Sequence, residues 1–444
     1  MRHPDHFLKL SVIISLLLPA AAYAQYPGAE LEINSSNGVY AVGDSIKVWA
    51  DITPESASVL EFCVEKNMNL IIKTETLELT AGRHLLYADI CREPAHYVFM
   101  ISKGKGKPET ETTSTVGAIV SPEKFRSGYQ APKDLRKFWD GQIAKMRQMP
   151  LTVKERPAPK GKDDQTGMNC LDIEIPMPEG NPVRAYLAYP SGAGEKSLPI
   201  VIYAHAAGVK GGWCQCSIDD AIRDARKGNG AIALDINAHG MLNGQPQSYY
   251  EELEAGELKD YSTREFTGHE EFYFRLMYLR LVRALDYLVT LPQWDGKRVA
   301  IYGESQGGAQ SAALAGMDER VTAALLRVPA FIDVAGTLDG RRGPWPRTYG
   351  KKARELEKEL PYYDGACLLS LTKAKLYIEA GLVDYTCPPG CLSAGYNNAG
   401  SKDKTIVFFP YRPHHSAKMS REKQKRWEKE IYEPREKWLD DYLK

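Results

Sequence analysis

The stretch Arg298-Val-Ala-Ile-Tyr302-Gly303-Glu304-Ser305-Gln306-Gly307-Gly308 decides the reading of this chain. Its first half is a short apolar run with the texture of a buried strand. After it, Ala309 to Ala315 is a run of small residues that reads as a helix. Between the two lies Gly-x-Ser-x-Gly, a nucleophile elbow in the strand–turn–helix setting that gives the pattern meaning. A serine on so tight a turn needs a strained backbone, and flanking side chains would collide there. Glycine removes those side chains and tolerates unusual dihedrals. The turn would lift the Ser305 hydroxyl above the sheet. It would also leave the Gln306 N–H at a helix N-terminus, where a developing oxyanion is stabilised. An ordinary Gly-rich turn needs neither the strand before it nor the helix after it.

Chain order supplies an independent test. Downstream runs a second strand-like segment, Lys375-Leu-Tyr-Ile-Glu-Ala380, leading into Gly381-Leu-Val-Asp384-Tyr-Thr-Cys-Pro388-Pro389. An aspartate just past a strand end, in a loop broken by two prolines, suits the acid that accepts an imidazole N–H and fixes its tautomer. A further strand, Thr405 to Phe409, opens into Pro410-Tyr-Arg-Pro-His414-His415. A histidine in the loop after the last strand fits a general base. Ser305, Asp384 and His414 thus stand in the order nucleophile, acid, base that an α/β-hydrolase uses. Singly, Asp384 reads equally well as a turn residue and His414 as a surface histidine; together they predict a triad.

These residues resemble the acetyl xylan esterase / cephalosporin C deacetylase family of carbohydrate esterases. The resemblance runs from about Ser121 to the C-terminus. It is carried by Gly303-Glu-Ser305-Gln306-Gly-Gly308, by Gly381-Leu-Val-Asp384 with Pro388-Pro389, and by the His414 loop. Phe138-Trp139 is similar to that family's entry segment. The resemblance implies a serine α/β-hydrolase that removes acetyl from sugars without a metal or cofactor. It implies Ser305 as nucleophile, Asp384 as acid and His414 as base. It also implies oxyanion donors in the N–H groups of Gln306 and Ala207. Three departures stand out. His205-Ala206-Ala207 replaces His-Gly-Tyr, Asn237-Ala238-His239 replaces Arg-Gly-Gln, and His414-His415 replaces His-Glu. Loss of the tyrosine leaves Trp213 or Trp345 as candidates to refill its place. Trp213, Trp345 and His239 are the candidate substrate-binding residues. Other readings in the same fold are a bulkier-acyl or feruloyl-type esterase and a serine peptidase. Outside catalysis, the alternative is a glycan-binding protein with a decayed hydrolase.

The first residues set the compartment. A weakly basic start precedes an apolar core, Leu10 to Ala22, and Ala22-Tyr-Ala24 gives a small-residue cleavage site before Gln25. Residues 1–24 are therefore expected to be a signal peptide, with a periplasmic or secreted product. The apolar run is too short to span a bilayer. The 57 basic residues balance 57 acidic ones with no basic stripe, so nucleic acid is not an expected partner. The expected partner is an acetylated carbohydrate; self-association is left open.

From about residue 25 to 120, short strand-like runs recur at Leu31–Ile33, Ser45–Ala50, Leu70–Lys73, His84–Tyr87 and His96–Ile101. Turn signals separate them, which predicts a small all-β sandwich of immunoglobulin-like type. The polar Lys103 to Thr115 reads as a loop or hairpin. Residues 121–444 alternate strands and helices and predict a doubly wound, mostly parallel sheet. Ser217 is placed to cap a helix from Ile218, and Glu270 to Val289 reads as a long amphipathic helix. Near the C-terminus Trp427, Ile431, Trp438 and Tyr442 form an apolar stripe that Pro434 should kink or divide. Eight cysteines in an exported chain allow disulfides, and Cys63 with Cys91 is the one pair in the β region. Cys214-x-Cys216 with His205 or His239 lacks a second compact ligand pair, so no metal is expected.

Overall fold

The structure, a computed structural model, describes residues 28–104 and 113–444. The predicted signal segment, with its cleavage site, lies outside them, as do residues 105–112 of the polar stretch. Among the described residues no helix is long and apolar enough to cross a membrane.

The amino-terminal part holds β1 (Ala29–Ile33), β2 (Val39–Tyr40), β3 (Ser45–Ile52), β4 (Ser58–Lys66), β5 (Leu70–Leu79), β6 (Gly82–Ile90), β7 (Ala95–Ser102) and β8 (Thr113–Val120). They form a three-stranded sheet, β1-β3-β6, and a five-stranded sheet, β2-β8-β7-β4-β5. All five runs picked out in the sequence fall in strands. β2, β4 and β8 lie outside those runs, and β8 takes the last residues of the polar stretch expected to be a loop or hairpin. Alternation explains the layering: Ile46, Val48, Ala50 and Ile52 are buried, and the alternate residues Ser45, Lys47, Trp49 and Asp51 are exposed or half-buried. Val48, Ala50, Phe62, Phe99 and Val116 meet in one core between the sheets.

Cys63 and Cys91 are not joined, and all eight cysteines are free thiols. The reason is topological. Cys91 belongs to the core between the two sheets. Cys63 packs on a different cluster, with Met68, Val98, Met100, Val383 and Tyr385.

The second part is built on β9 (Lys154–Pro157), β10 (Met168–Ile175), β11 (Val183–Pro190), β12 (Leu198–Ala204), β13 (Ile232–Ile236), β14 (Trp294–Glu304), β15 (Ala323–Arg327), β16 (Lys375–Gly381) and β17 (Lys404–Phe409). Their order is β17-β16-β15-β14-β12-β13-β11-β10-β9. From β13 to β17 every pairing is parallel, and β11, β10 and β9 add an antiparallel wing. After β12 the chain first steps one way to β13, then crosses back to β14. Such a reversal of strand order opens a crevice at the carboxyl ends of the strands. Register puts Ala204 opposite Gly303, so the loop starting at His205 and the elbow at Ser305 leave the sheet side by side.

Helices cover both faces. The amphipathic helix runs Phe274–Leu288, and His269–Glu271 ahead of it forms a separate short turn. Ser217 does precede helix Ile218–Ala225, but its side chain makes no cap bond; its backbone N–H donates to Asp235 instead (3.1 Å). At the C-terminus, helix Arg421–Trp427 passes through a π-helical turn, Glu428–Tyr432, into helix Glu433–Leu443. Pro434 sits at the start of the last helix, where its missing N–H costs least. The apolar stripe divides there: Trp427 and Ile431 enter the core between the amino-terminal sheets, and Trp438 and Tyr442 pack beneath the parallel sheet.

Candidate active site

Ser305 sits between β14 and helix Gln306–Met317 with φ 56° and ψ −119°, so the elbow's strain falls on the serine itself. The glycines serve close approach rather than positive φ. A Cβ on Gly303 would lie 2.5 Å from the Gly307 carbonyl carbon, and one on Gly307 would lie 2.0 Å from the Ala204 oxygen. The turn is pinned from both sides. The Ser305 N–H donates to the Arg327 carbonyl (2.9 Å), and the Ser305 carbonyl accepts from Ala309 and Ala330 (3.1 and 2.9 Å). Gln306 is the first helical residue, so its N–H has no carbonyl four residues back and points out of the helix end.

The structure brings the three residues predicted as a triad together. His414 Nε2 lies 3.0 Å from Ser305 Oγ, and its Nδ1 lies 2.9 Å from Asp384 Oδ2. Asp384 is fully buried just after β16. Its other oxygen accepts the N–H groups of Thr386 and Cys387, each at 2.8 Å. Burial pulls the His414 pKa down, but the Asp384 charge and hydrogen bond outweigh it and hold it above the ordinary 6.5. His415 is exposed, its ring 5.1 Å from that of His414 and edge-on to it.

Two residues absent from the sequence reading hold this arrangement. Arg412 is buried and donates to the carbonyls of Pro413 (2.5 Å) and His414 (2.6 Å), which fixes the backbone that carries His414. Its charge is met by Glu379 on β16 (3.2 Å) and by Glu304 in the elbow (3.4 Å). Glu379 also accepts from Trp427 Nε1 (2.8 Å) and pairs with Arg435 in the last helix. The signal was visible: a glutamate in the interior of an apolar strand requires a buried partner.

On the other side of Ser305, Gln310 Nε2 donates to the His205 carbonyl (3.1 Å), tying the elbow helix to the loop that carries Ala207. Tyr261 joins the same two parts. Its hydroxyl accepts the Gly208 N–H (3.1 Å) and donates to Gln306 Oε1 (2.7 Å), and its ring lies edge-on to His239 at 4.4 Å. An aromatic residue remote in sequence thus stands beside the loop that lacks its tyrosine. His239 is buried, with Nδ1 on the Tyr273 hydroxyl (2.8 Å) and Nε2 on the Gly208 carbonyl (3.1 Å). Burial pulls its pKa down to about 3. The ring braces Gly208 and has no nitrogen left for a ligand.

Trp213 is 67% exposed, yet its ring is held: Nε1 donates to the Ala207 carbonyl (2.9 Å) and the indole lies against Gly211. Trp345 differs. It is half-buried, its ring is edge-on to Phe274 at 6.4 Å, and its backbone N–H donates to the Thr386 carbonyl (2.8 Å) beside Asp384. Of the three candidate substrate-binding side chains, Trp213 is the most exposed.

Fold and side-chain geometry together define the class: an α/β-hydrolase with a serine, a histidine and a buried aspartate hydrogen-bonded in line at its elbow. The family description "Acetyl xylan esterase (AXE1)" matches residues 121–431, and the chain belongs to that family of carboxylic ester hydrolases. The acetyl esterase Axe7A of Xylanibacter ruminicola is 31% identical over 275 residues, a match spanning 61% of this chain and 60% of that protein. Among solved structures, an acetyl xylan esterase from Paenibacillus sp. R4 superposes with a TM-score of 0.54 at 23% identity, covering 66% of this chain and 93% of its own. Acetyl xylan esterase 1 from Thermoanaerobacterium sp. JW/SL YS485 gives 0.56 at 19% identity, covering 73% and 98%. At those identities the likeness establishes the fold. The amino-terminal β region precedes the family match.

Proposed function

We propose that this chain is a serine esterase that removes acetyl groups from an acetylated carbohydrate through an acetyl-enzyme intermediate. The observation that carries the reading is the hydrogen-bonded line from Ser305 through His414 to Asp384 at a strained elbow, in a chain of the acetyl xylan esterase family. His414 Nε2 takes the Ser305 proton as Oγ attacks the acetyl carbonyl. The N–H groups of Gln306 and Ala207 receive the oxyanion. His414 then protonates the departing sugar oxygen. Water, deprotonated by the same nitrogen, releases acetate and restores the serine. Asp384 holds the imidazole in the required tautomer. The exposed, pinned indole of Trp213 supports sugar binding, because pyranose C–H faces stack on such rings.

The proposal includes export, an immunoglobulin-like character for residues 25–120 and a hydrolase unit from residue 121. Amino-terminal sequencing of the exported product is expected to begin at Gln25.

The deciding experiment measures acetate release from acetylated xylo-oligosaccharides by wild type and Ser305→Ala. Turnover by wild type and none by the variant supports the proposal; equal rates overturn it. A second reading, a general carboxylesterase, is favoured by the replacement of His-Gly-Tyr with His205-Ala206-Ala207. kcat/KM for p-nitrophenyl esters from acetate to octanoate separates the two. A steady rise with chain length would displace the deacetylase reading. One methylene in a pocket shifts such ratios by only about 10–200-fold.

A further inference from the structure

Two groups of side chains among the described residues meet at metal-ligand spacing. One, Asp384, Cys387 and His414, shares Asp384 and His414 with the line that ends at Ser305. The other is separate: a ring nitrogen of His205, Sγ of Cys216 and a carboxylate oxygen of Asp235 lie within 4.8 Å of one another. We propose that these three form a zinc site that braces the loop after β12.

The hydrogen bonds around the cluster orient it for an ion. His205 Nδ1 faces the Trp213 carbonyl at 3.1 Å. A carbonyl only accepts, so Nδ1 carries the hydrogen, and Nε2 is the nitrogen turned to Asp235. Metal-bound histidines are oriented by such a backbone partner on the far nitrogen. Asp235 spends Oδ2 on the Ser217 N–H (3.1 Å), which turns Oδ1 toward His205. The Tyr203 ring lies 4.6 Å from the imidazole, and Cys216 packs on an apolar cluster containing Ala188, Ile218 and Ala233. Nitrogen, sulfur and carboxylate oxygen together suit zinc, and three protein ligands leave a fourth tetrahedral position for water. Cys214 takes no part, since its thiol bonds the Gly211 carbonyl.

Charge balances across the exchange. Without an ion, the imidazole donates through both nitrogens, to Trp213 and to Asp235, and Cys216 keeps its thiol proton. Zinc entry breaks the Nε2–H and S–H bonds, releases both protons to solvent, and forms bonds to nitrogen, sulfur and oxygen. A doubly charged ion replaces two protons, so the buried site gains no net charge, and no redox partner is needed. His205 and Cys216 stand out in the sequence, but the third ligand does not, because Asp235 lies on another strand. Parallel pairing of β12 with β13 sets Tyr203 opposite Asp235 and brings that carboxylate to His205.

The ion would hold the loop of Ala207 and Trp213 without touching the ester, so this inference does not depend on the proposed substrate. The test uses tag-free, full-length protein exposed to zinc and dialysed, with metal counted by mass spectrometry. A cobalt-exchanged sample is read for thiolate-to-cobalt charge transfer. Expected are one zinc per chain, a charge-transfer band, and a melting temperature raised by zinc. Cys216→Ser is expected to weaken zinc binding by about 10-fold or more and to abolish the band, with metal-free esterase turnover unchanged. Cys387→Ser is expected to bind zinc and show the band as wild type does. Absence of stoichiometric zinc or of the band in wild type overturns the proposal, whatever the variants do. So does a Cys216→Ser protein that retains the ion, or loss of the ion in Cys387→Ser alone, which would move it to the triad.

Discussion

Ser305 combines a strained backbone with a hydroxyl already on the base, and removing Oγ leaves the strained turn in place. Ser305→Ala is therefore expected to keep its fold and lose roughly five orders of magnitude in kcat, checked by circular dichroism beside steady-state kinetics. His414→Ala is expected to follow it, whereas His415→Ala, at an exposed ring, should only weaken turnover. The reverse ranking would transfer the base role. The base must be neutral to accept a proton, and Asp384 favours its charged form. The acid limb of kcat/KM is accordingly expected above pH 6.5, with activity falling as pH drops through it. Tyr261→Phe removes one hydroxyl from between Gly208 and Gln306. A roughly 10-fold loss in kcat is expected, with the melting temperature little changed. Ser305, Asp384 and His414 were legible because each sits in a short local pattern. Tyr261 was not: one tyrosine among 25 acquires its role only when the fold sets it against Gly208.

Strands with a strong apolar signature were readable, and weak ones were not. β15 is Ala-Ala-Leu-Leu-Arg, a composition that favours a helix, and it becomes a strand because β14 and β16 bind it on both edges. β9, Lys-Glu-Arg-Pro, has no apolar signal at all and adds to the sheet at its antiparallel edge. The C-terminal helices were read as amphipathic, but their attachment was not. Glu379 joins β16, the His414 loop and the last helix through Arg412 and Arg435. Glu379→Gln leaves two buried guanidinium groups short of charge and is expected to destabilise the fold by about 3–5 kcal/mol in urea titration. Burial alone would raise the Glu379 pKa, but the two arginines pull it down from 4.5 to about 2. Its contribution is thus present above about pH 4.5 and lost as pH falls toward 2. The wild-type midpoint is expected to drop through that window, and the variant's to drop less.

The two parts of the molecule meet at the acid loop. His96 Nε2 reaches the Leu382 carbonyl (2.8 Å), and the Tyr385 hydroxyl bonds Glu65 of β4. Gly117 on β8 packs so closely that a Cβ there would lie 2.2 Å from the Leu382 oxygen. Burial lowers the His96 pKa from 6.5 to about 4. The unfolded chain takes up that proton first, so the seam loses stability as pH falls from about 6.5 to 4. A free-thiol interior adds a separate expectation: a reducing agent leaves the melting temperature unchanged. The strand texture of residues 29–120 was legible in the sequence, but this contact was not, since nothing local marks a histidine in β7 as the partner of a carbonyl nearly 300 residues away. Freedom to vary must accordingly be uneven across the amino-terminal strands. β5 is exposed along nearly all its length and tolerates change at little cost to turnover. Glu65, His96 and Gly117 belong to the amino-terminal strands, yet they touch Leu382 and Tyr385, so substitutions there are expected to disturb the peptide that presents Asp384. A saturation library over 29–120, sorted by ester hydrolysis, is expected to be depleted at those positions and nearly silent along β5.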